Sequence, residues 1–223
     1  MSKYLSAVIT VRKGSQRVPN KNVKDFGDTN LLEMKLSLLK EVSGIDKIVV
    51  NSDCDEMLEV GKKFGVDTHK REEYYASSEC SNSEFHKHIG ETTEGDTIFL
   101  APVCSPFVSV ESHEKGIEYY NDTKYDSVTS VSTIKNHLWL DNKPLNYDLD
   151  NVPNSQDLPN VLKLNYGMTI IDRKTMIEKK GVVGNRPGFY NLNEVESIDI
   201  DTHFDFFIAE LIYYKLKAEG LLC

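Results

Sequence analysis

Positively charged side chains concentrate near the beginning of this chain. The group consists of Arg12, Lys13, Arg17, Lys21 and Lys24. Five cations within thirteen residues run against the balance of the whole chain, whose 35 acidic and 26 basic side chains give a net charge of −9. Gly14 and Ser15 lie among them and offer backbone N–H groups that a ligand can approach closely. This combination suits a polyphosphate, and the alternative is a solvated basic loop.

The position of the basic loop supports a ligand site. Residues 4–11 are nearly all apolar or β-branched and predict a strand buried on both faces of a parallel sheet. The loop follows this strand directly, and ligands of open α/β sheets bind at the carboxyl ends of strands. Its sequence is neither a Walker A motif nor a GxGxxG fingerprint, so kinases and dinucleotide-binding enzymes lose their main support.

Two carboxylates near the other end of the chain form a second group that suggests chemistry. Asp199 and Asp201 alternate with isoleucines in residues 196–201, which predicts a short final strand. On a strand, residues two apart point to the same face, so both carboxylates can share one hard cation. Mg²⁺ binds through one or two carboxylates plus substrate phosphates. The alternative is that one aspartate caps the helix beginning near Phe204 and the other is solvated.

The elements that must position these groups alternate between strands and helices. Strands are predicted at 4–11, 47–51, 66–68, 97–101, 127–131 and 167–171, and helices at 30–39, 53–64, 109–120 and 204–218. Asn30 with Glu33, and Asp53 with Glu56, have the spacing of capping boxes, and Gly65 ends the second helix. This order predicts an α/β layered fold with a mostly parallel sheet.

One segment interrupts the alternation. Residues 134–165 contain Trp139, three prolines and many Asn and Asp residues, with only short apolar runs. The segment is too long for an ordinary loop. We therefore predict a core made of residues 1–133 and 166–223, from which residues 134–165 project as a dimerisation arm or a lid.

Composition excludes several classes of protein. A chain of 223 residues with 39% hydrophobic residues predicts one globular core domain. No stretch approaches the ~18 to 20 apolar residues of a membrane span, and the first residues show no signal peptide, so we expect a cytoplasmic protein. The acidic balance argues against a nucleic-acid or anionic-membrane surface. Four cysteines without a CxxC pair indicate neither a zinc site nor a disulfide framework.

The basic loop also resembles a known motif. Residues 12–22 have the form R-x-G-S-x-R-x-P-x-K-N. This resembles the first motif of the acylneuraminate cytidylyltransferases, the CMP-sialic acid synthetases, whose relatives activate 3-deoxy-manno-octulosonic acid. The resemblance implies that the loop binds the triphosphate of CTP, with Arg12 and Lys21 on phosphate, Asn22 near the nucleotide, and Gly14 and Ser15 as backbone donors.

The resemblance extends over nearly the whole chain. It implies that Asp199 and Asp201, in the I-D-x-D segment, hold the catalytic Mg²⁺. It further implies nucleotide contacts from Arg71, Asn82 and Ser83. The implied architecture is a three-layer sandwich like that of the nucleotide-diphospho-sugar transferases, and the implied assembly is a homodimer formed through the excursion.

The acceptor side departs from the family pattern. Family members carry Q-P-T-S-P-[LF]-R after the central strand, whereas this chain keeps Ser105 but has Pro102 for the glutamine and Val108 for the arginine. Leu164 likewise replaces the arginine of an R-P-N-G segment, although Lys163 or Asn165 can partly substitute. Ser105, Lys163 and Asn165 are therefore the candidate acceptor contacts.

These observations predict a cytidylyltransferase that transfers CMP from CTP to a small acidic acceptor and releases pyrophosphate. Arg12, Lys21, Asp199 and Asp201 are the predicted catalytic residues, and no side chain stands out as a general base. The acceptor is expected to be a nonulosonic acid other than ordinary N-acetylneuraminic acid, a smaller sugar acid or a phosphonate. The competing hypotheses are a glycosyltransferase of similar architecture and a non-catalytic nucleotide-binding homologue.

Overall fold

A computed structural model describes residues 3–14, 17–122 and 124–222. Eleven strands lie in these ranges: β1 (Leu5–Thr10), β2 (Asp25–Phe26), β3 (Thr29–Asn30), β4 (Lys47–Ser52), β5 (Asp67–Lys70), β6 (Thr97–Leu100), β7 (Ser127–Ile134), β8 (Trp139–Leu140), β9 (Lys143–Pro144), β10 (Val161–Asp172) and β11 (Pro187–Asn191). The same ranges contain six α-helices: α1 (Leu31–Glu41), α2 (Asp55–Lys63), α3 (Asn82–Thr92), α4 (Val110–Asn121), α5 (Arg173–Lys179) and α6 (His203–Ala218).

Seven strands form one central sheet in the order β11-β7-β10-β6-β1-β4-β5. Only β10 runs antiparallel to its neighbours among these strands, and the other pairs are parallel. The predicted α/β fold with a mostly parallel sheet is confirmed. Helices connect parallel strands because a short turn cannot return the chain to the same end of the sheet.

Alternation along the strands produces three layers. In β1, Ala7 and Ile9 face a core shared with α1, α2, α4 and α6, whereas Val8 faces a second core shared with α3 and α5. Both faces of the central strands are therefore covered, which explains the continuous apolar run in the first strand. No helix within the described ranges has the length and apolar character that crossing a membrane requires.

The helix ends show which local signals were sufficient. Asn30 caps α1 as predicted, because its side chain accepts a hydrogen bond from the Glu33 N–H at 2.9 Å. The predicted cap of α2 is wrong: that helix follows Cys54, which makes no side-chain capping bond. Gly65 ends α2 as predicted, with a φ of +71° that favours glycine.

The predicted strand at 196–201 is also wrong. Ser197 and Ile198 donate backbone hydrogen bonds to Asn193 and Val195, which forms turns in place of a strand. The seventh strand of the sheet is instead β11, which pairs parallel with β7. Its sequence begins with Pro187 and Gly188, and this pair is typical of turns, so the local pattern concealed the strand.

The excursion is shorter than predicted because its two flanks belong to the sheet. Strand β7 continues to Ile134 and pairs there with Val161 of β10. Residues 135–160 leave the sheet and contain the β8–β9 hairpin, whose turn places Asp141 and Asn142 at φ values of 48° and 62°. The register of the ribbon shifts between Leu164 and Thr169.

Candidate active site

The basic loop follows β1 at the carboxyl edge of the sheet, and hydrogen bonds from neighbouring residues hold its backbone. Gly14 adopts a φ of +81°, and the Lys13 N–H donates to Asp53 Oδ1 at 3.0 Å. Asn22 is buried and donates from its side chain to the Arg12 carbonyl at 3.3 Å. The structure therefore uses Asn22 to shape the loop. Ser15, a predicted backbone donor, lies outside the described residues.

The loop reaches across to the other end of the chain. Arg17 Nη2 lies 2.7 Å from Asp201 Oδ1, and the Lys21 ammonium donates to the carbonyl oxygen of Ile200. These contacts bring the two groups that the sequence singled out into one site, although about 180 residues separate them along the chain.

Asp199 and Asp201 flank one buried residue without belonging to a strand. Ile200, between them, is fully buried, and its N–H donates to the Cys104 carbonyl at 2.9 Å. On either side of this buried residue, Asp199 is exposed and Asp201 is partly exposed. Thr202 caps α6 and Asp205 completes a capping box, so the alternative that Asp199 or Asp201 serves as the cap is wrong.

Asp199 and Asp201 are the side chains that a divalent cation would use at this site. Asp199 is exposed to solvent, yet desolvation by the protein around its carboxyl raises its pKa; the Cys104 thiol opposes this increase and the Asp201 carboxylate adds to it. Two carboxylates held close together repel each other, and a shared cation relieves that repulsion. Within the described ranges no cluster of three or more His, Cys, Asp or Glu side chains forms a complete metal site. A pair of carboxylates completed by phosphate oxygens is the arrangement that Mg²⁺ favours.

A cleft of about 450 Å³ opens beside the loop. Its lining residues are Thr10, Val11, Arg12, Arg71, Tyr75, Ser77, Ser78, Cys80, Asn82 and Phe85. The cleft thus contains three of the predicted nucleotide contacts and adds aromatic side chains that the sequence did not indicate. Ser83, also predicted, is exposed in the first turn of α3 and does not line the cleft.

Arg71 forms the floor of this cleft and is 3% exposed. Its Nη2 donates to the Val11 carbonyl at 2.8 Å, and its guanidinium carbon lies 4.9 Å from the centre of the Phe85 ring. Its Nε is buried and has no partner within the described ranges. Burial lowers the pKa of Arg71, and Asp53 opposes this effect.

Asp53 is the residue whose role the sequence did not reveal. Besides accepting from Lys13, its Oδ1 lies 3.9 Å from Arg71 Nη2, and its side chain is only 15% exposed. One carboxylate therefore joins the phosphate side and the cleft side of the site. The residue follows β4 directly, and this position at a carboxyl edge was the available signal.

Two of the three predicted acceptor contacts, Ser105 and Asn165, are buried. Ser105 is 2% exposed. Asn165 accepts from Ser130 Oγ at 2.6 Å and donates to Ser132 Oγ at 2.9 Å, so its amide supports the bulge in β10. Lys163 is exposed on the same strand and keeps its ammonium available to a ligand.

A larger cavity of about 1000 Å³ lies elsewhere, between α1, α6 and residues 106–111. It is lined mainly by apolar side chains such as Met34, Phe107 and Leu216. None of the predicted site residues lines it within the described part of the chain. The described residues that were predicted to bind nucleotide or metal therefore lie outside this larger cavity.

The chain belongs to the Cytidylyltransferase family, whose sequence pattern matches residues 6–167. The N-acylneuraminate cytidylyltransferase A of Danio rerio is 26% identical over 218 residues, which cover 94% of this chain and 50% of that protein. The post-translational flagellin modification protein B of Campylobacter coli is 24% identical over 233 residues, and the alignment covers 99% of this chain and 99% of that protein. This chain spans about half the length of the acylneuraminate relatives.

A solved structure shows the same fold. CMP:2-keto-3-deoxy-manno-octonic acid synthetase complexed with CTP matches with a TM-score of 0.70, covering 95% of this chain and 99% of that chain at 14% identity. The three-layer architecture expected from the sequence motif is thereby confirmed.

Proposed function

We propose that this chain is a CTP-dependent cytidylyltransferase that transfers CMP from CTP to a small acidic acceptor and releases pyrophosphate. The observation that carries this proposal is the convergence of the basic loop and the acidic pair, through Arg17 with Asp201 and Lys21 with Ile200. Family membership supports the reaction class. The similar fold of a synthetase solved with CTP supports the choice of nucleotide.

The nucleoside fits the cleft beside Arg71. Its volume of about 450 Å³ lies within the range of ~300 to 1,000 Å³ typical of small-molecule sites. Arg12 belongs to the basic loop and also lines the cleft, so a nucleotide with its base in the cleft directs its phosphates into the loop. Arg71, whose guanidinium lies beside this cleft, adds a positive charge on the same side as Arg12.

In the proposed reaction, an oxygen of the acceptor attacks the α-phosphorus of CTP and pyrophosphate leaves in line. Arg12 and Lys21 offset the negative charge of the phosphates, and the Gly14 N–H adds a backbone donor. Asp199 and Asp201 would hold Mg²⁺, which would neutralise phosphate charge and lower the pKa of the attacking hydroxyl. The acceptor's proton passes to solvent.

The acceptor site supports an acid other than ordinary N-acetylneuraminic acid. Val108 is fully buried where the family motif has an arginine, Ser105 is 2% exposed, and the amide of Asn165 is satisfied by serine hydroxyls of the protein itself. A substrate polar group left unpaired costs ~1 to 3 kcal/mol. In such a site, a modified nonulosonic acid, a smaller sugar acid or a phosphonate loses less binding free energy than a fully hydroxylated sialic acid.

A pyrophosphate-release screen tests the function. The four common nucleoside triphosphates are combined with Mg²⁺ and with N-acetylneuraminic acid, modified nonulosonic acids, 3-deoxy-manno-octulosonic acid and small phosphonates. We expect pyrophosphate release with CTP and an acid other than N-acetylneuraminic acid. For N-acetylneuraminic acid itself, kcat/KM should stay below ~10⁴ M⁻¹s⁻¹. A higher value for that acid would contradict the proposed acceptor class. Tight CTP binding without release from any acceptor favours a non-catalytic binding protein.

We also propose that the chain forms a homodimer through residues 135–160. Trp139, Leu140, Leu145, Leu149 and Val152 are each more than half exposed in this segment. Large apolar side chains concentrated on one projecting segment are typical of protein interfaces. Sedimentation of the wild-type chain measures this assembly directly.

Asp53 is expected to be necessary for nucleotide binding. Asp53→Ala removes the acceptor of the Lys13 N–H and the partner of Arg71, so CTP should bind about tenfold more weakly, corresponding to ~1.4 kcal/mol. Asp53→Asn keeps an oxygen for Lys13 and should lose less. Calorimetric titration with CTP measures both variants, and equal affinity for Asp53→Ala and wild type would show that the loop holds its shape without this carboxylate.

A further inference from the structure

A lysine is buried in the core directly behind the candidate site. Lys35 lies on α1 and is 1% exposed, and its ammonium donates to the Ser105 carbonyl at 3.0 Å. Burial lowers its pKa to about 8, and the Cys104 thiol opposes only part of that shift. At neutral pH the side chain is thus a buried cation held by a backbone carbonyl.

A second buried polar group faces the same region without compensating this charge. His113 on α4 is fully buried, and its Nδ1 lies 2.6 Å from the Ser109 carbonyl. Its Nε2 has no partner among the described residues. Burial, and then the charge of Lys35, lower the pKa of His113 to about 3. The imidazole is neutral and provides no counter-ion.

A chain of hydrogen bonds connects Lys35 to Ile200, which lies between the two aspartates. Lys35 holds the carbonyl of Ser105. The preceding carbonyl, that of Cys104, accepts the Ile200 N–H at 2.9 Å. The Ile200 carbonyl in turn accepts from Lys21. Residues 104–105 therefore connect α1 to the peptide units that carry Asp199 and Asp201.

Stability alone does not explain this arrangement. An unpaired buried ammonium is costly, and an apolar side chain of similar volume is commonly as stable or more stable at such a position. What an apolar side chain cannot supply is a charge-assisted hydrogen bond to the Ser105 carbonyl, which is stronger than a bond between neutral groups. The ammonium thus holds the loop whose Cys104 carbonyl binds Ile200, next to Asp199 and Asp201.

We propose that Lys35 is a positioning residue of the nucleotidyl-transfer site, which holds residues 104–105 and thereby fixes Ile200 between the two metal-binding carboxylates. This inference rests on the proposed function for its catalytic consequence. Its structural consequence, an ordered Ile200 peptide, is independent of that function.

Lys35→Met tests the proposal, with Lys40→Met as the matched control. Lys40 lies on the same helix and also donates to a carbonyl, that of Phe64 at 3.1 Å, but it is exposed. We expect Lys35→Met to lower kcat at least tenfold while KM for CTP changes less than threefold, because the basic loop is untouched. Its melting temperature should not fall, and the Ile200 amide should exchange hydrogen at least tenfold faster. Lys40→Met should match wild type in all four measurements.

The outcomes separate the two proposals. If wild type releases no pyrophosphate in the acceptor screen, the proposed function fails, and Ile200 exchange alone decides the role of Lys35. If wild type is active and Lys35→Met keeps both its kcat and its Ile200 protection, the positioning role is overturned. If Lys35→Met does not fold, Lys35→Gln, which retains a donor for Ser105, is measured in the same way and must show the same losses in smaller degree.

Discussion

Asp199→Asn is expected to reduce turnover with CTP, acceptor and Mg²⁺ by more than a hundredfold, and Asp201→Asn by a comparable factor. Each substitution removes one of the two carboxylates that flank the buried Ile200. A neutral amide binds Mg²⁺ more weakly than a carboxylate, and a hundredfold loss corresponds to ~2.7 kcal/mol of transition-state stabilisation. The measurement is the steady-state rate of pyrophosphate release across a range of Mg²⁺ concentrations.

The fold should tolerate both substitutions. Asp199 is exposed, and Asp201 pairs with Arg17 at a site where both side chains are largely in solvent. Exposed ion pairs contribute only ~0 to 1 kcal/mol to stability. Glu194→Gln, an exposed acid in the same segment, serves as the control and should keep wild-type rates. If both aspartate variants turn over at wild-type rates at every Mg²⁺ concentration, the metal is bound elsewhere.

The two aspartates also show how a burial pattern can be predicted correctly although the predicted element is wrong. Alternation of Asp and Ile predicted a strand, and the structure has turns followed by an extended segment outside the sheet. Ile200 is nevertheless buried between the two aspartates, because its N–H donates to the Cys104 carbonyl and its own carbonyl accepts from Lys21. The alternation of Asp and Ile therefore predicted correctly that Ile200 is buried, because a side chain can be buried without belonging to a sheet.

Local patterns failed where distant residues supply the partner. Asp53 and Glu56 have capping-box spacing, yet the Asp53 carboxylate binds an N–H forty residues away. Asn165 was predicted to contact the acceptor, but hydroxyls of the neighbouring strand satisfy its amide. No window of sequence contains these partners. They become visible only when the sheet order places the strands side by side.

Lys35 is an intermediate case, because its sequence did contain a signal. Leu31, Leu32, Leu36 and Leu39 define the buried stripe of α1, and Lys35 falls at helical spacing within that stripe. A charged residue on an apolar face indicates either a buried cation or an error in the predicted helix. The helix is present, so the lysine is buried, but its partner on the loop after β6 could not be inferred.

Lys21→Ala is expected to weaken CTP binding by ten- to a hundredfold and to lower kcat as well. The Lys21 ammonium belongs to the basic loop and also contacts residues 199–201, through the Ile200 carbonyl, as Arg17 does through Asp201. Hydrogen bonds to charged groups contribute ~1.5 to 3 kcal/mol, which corresponds to this range of affinity. Titration with CTP in the presence of EDTA measures the loss of the phosphate contact without a contribution from the metal. The turnover rate at saturating CTP and Mg²⁺ measures the effect of losing the Lys21 contact to Ile200.

Lys24→Ala is the matched control for this loop. Lys24 carries the same charge three residues further on, but its ammonium lies 4.6 Å from the centre of the Phe206 ring, so its contribution to a phosphate should be much smaller. A general charge effect would weaken CTP binding equally in both variants, because each removes one cation from the same loop. A specific contact predicts a large loss for Lys21→Ala alone. Unchanged CTP affinity of Lys21→Ala, with or without EDTA, would therefore remove the basic loop from the triphosphate site and leave the cleft beside Arg71 as the sole nucleotide contact.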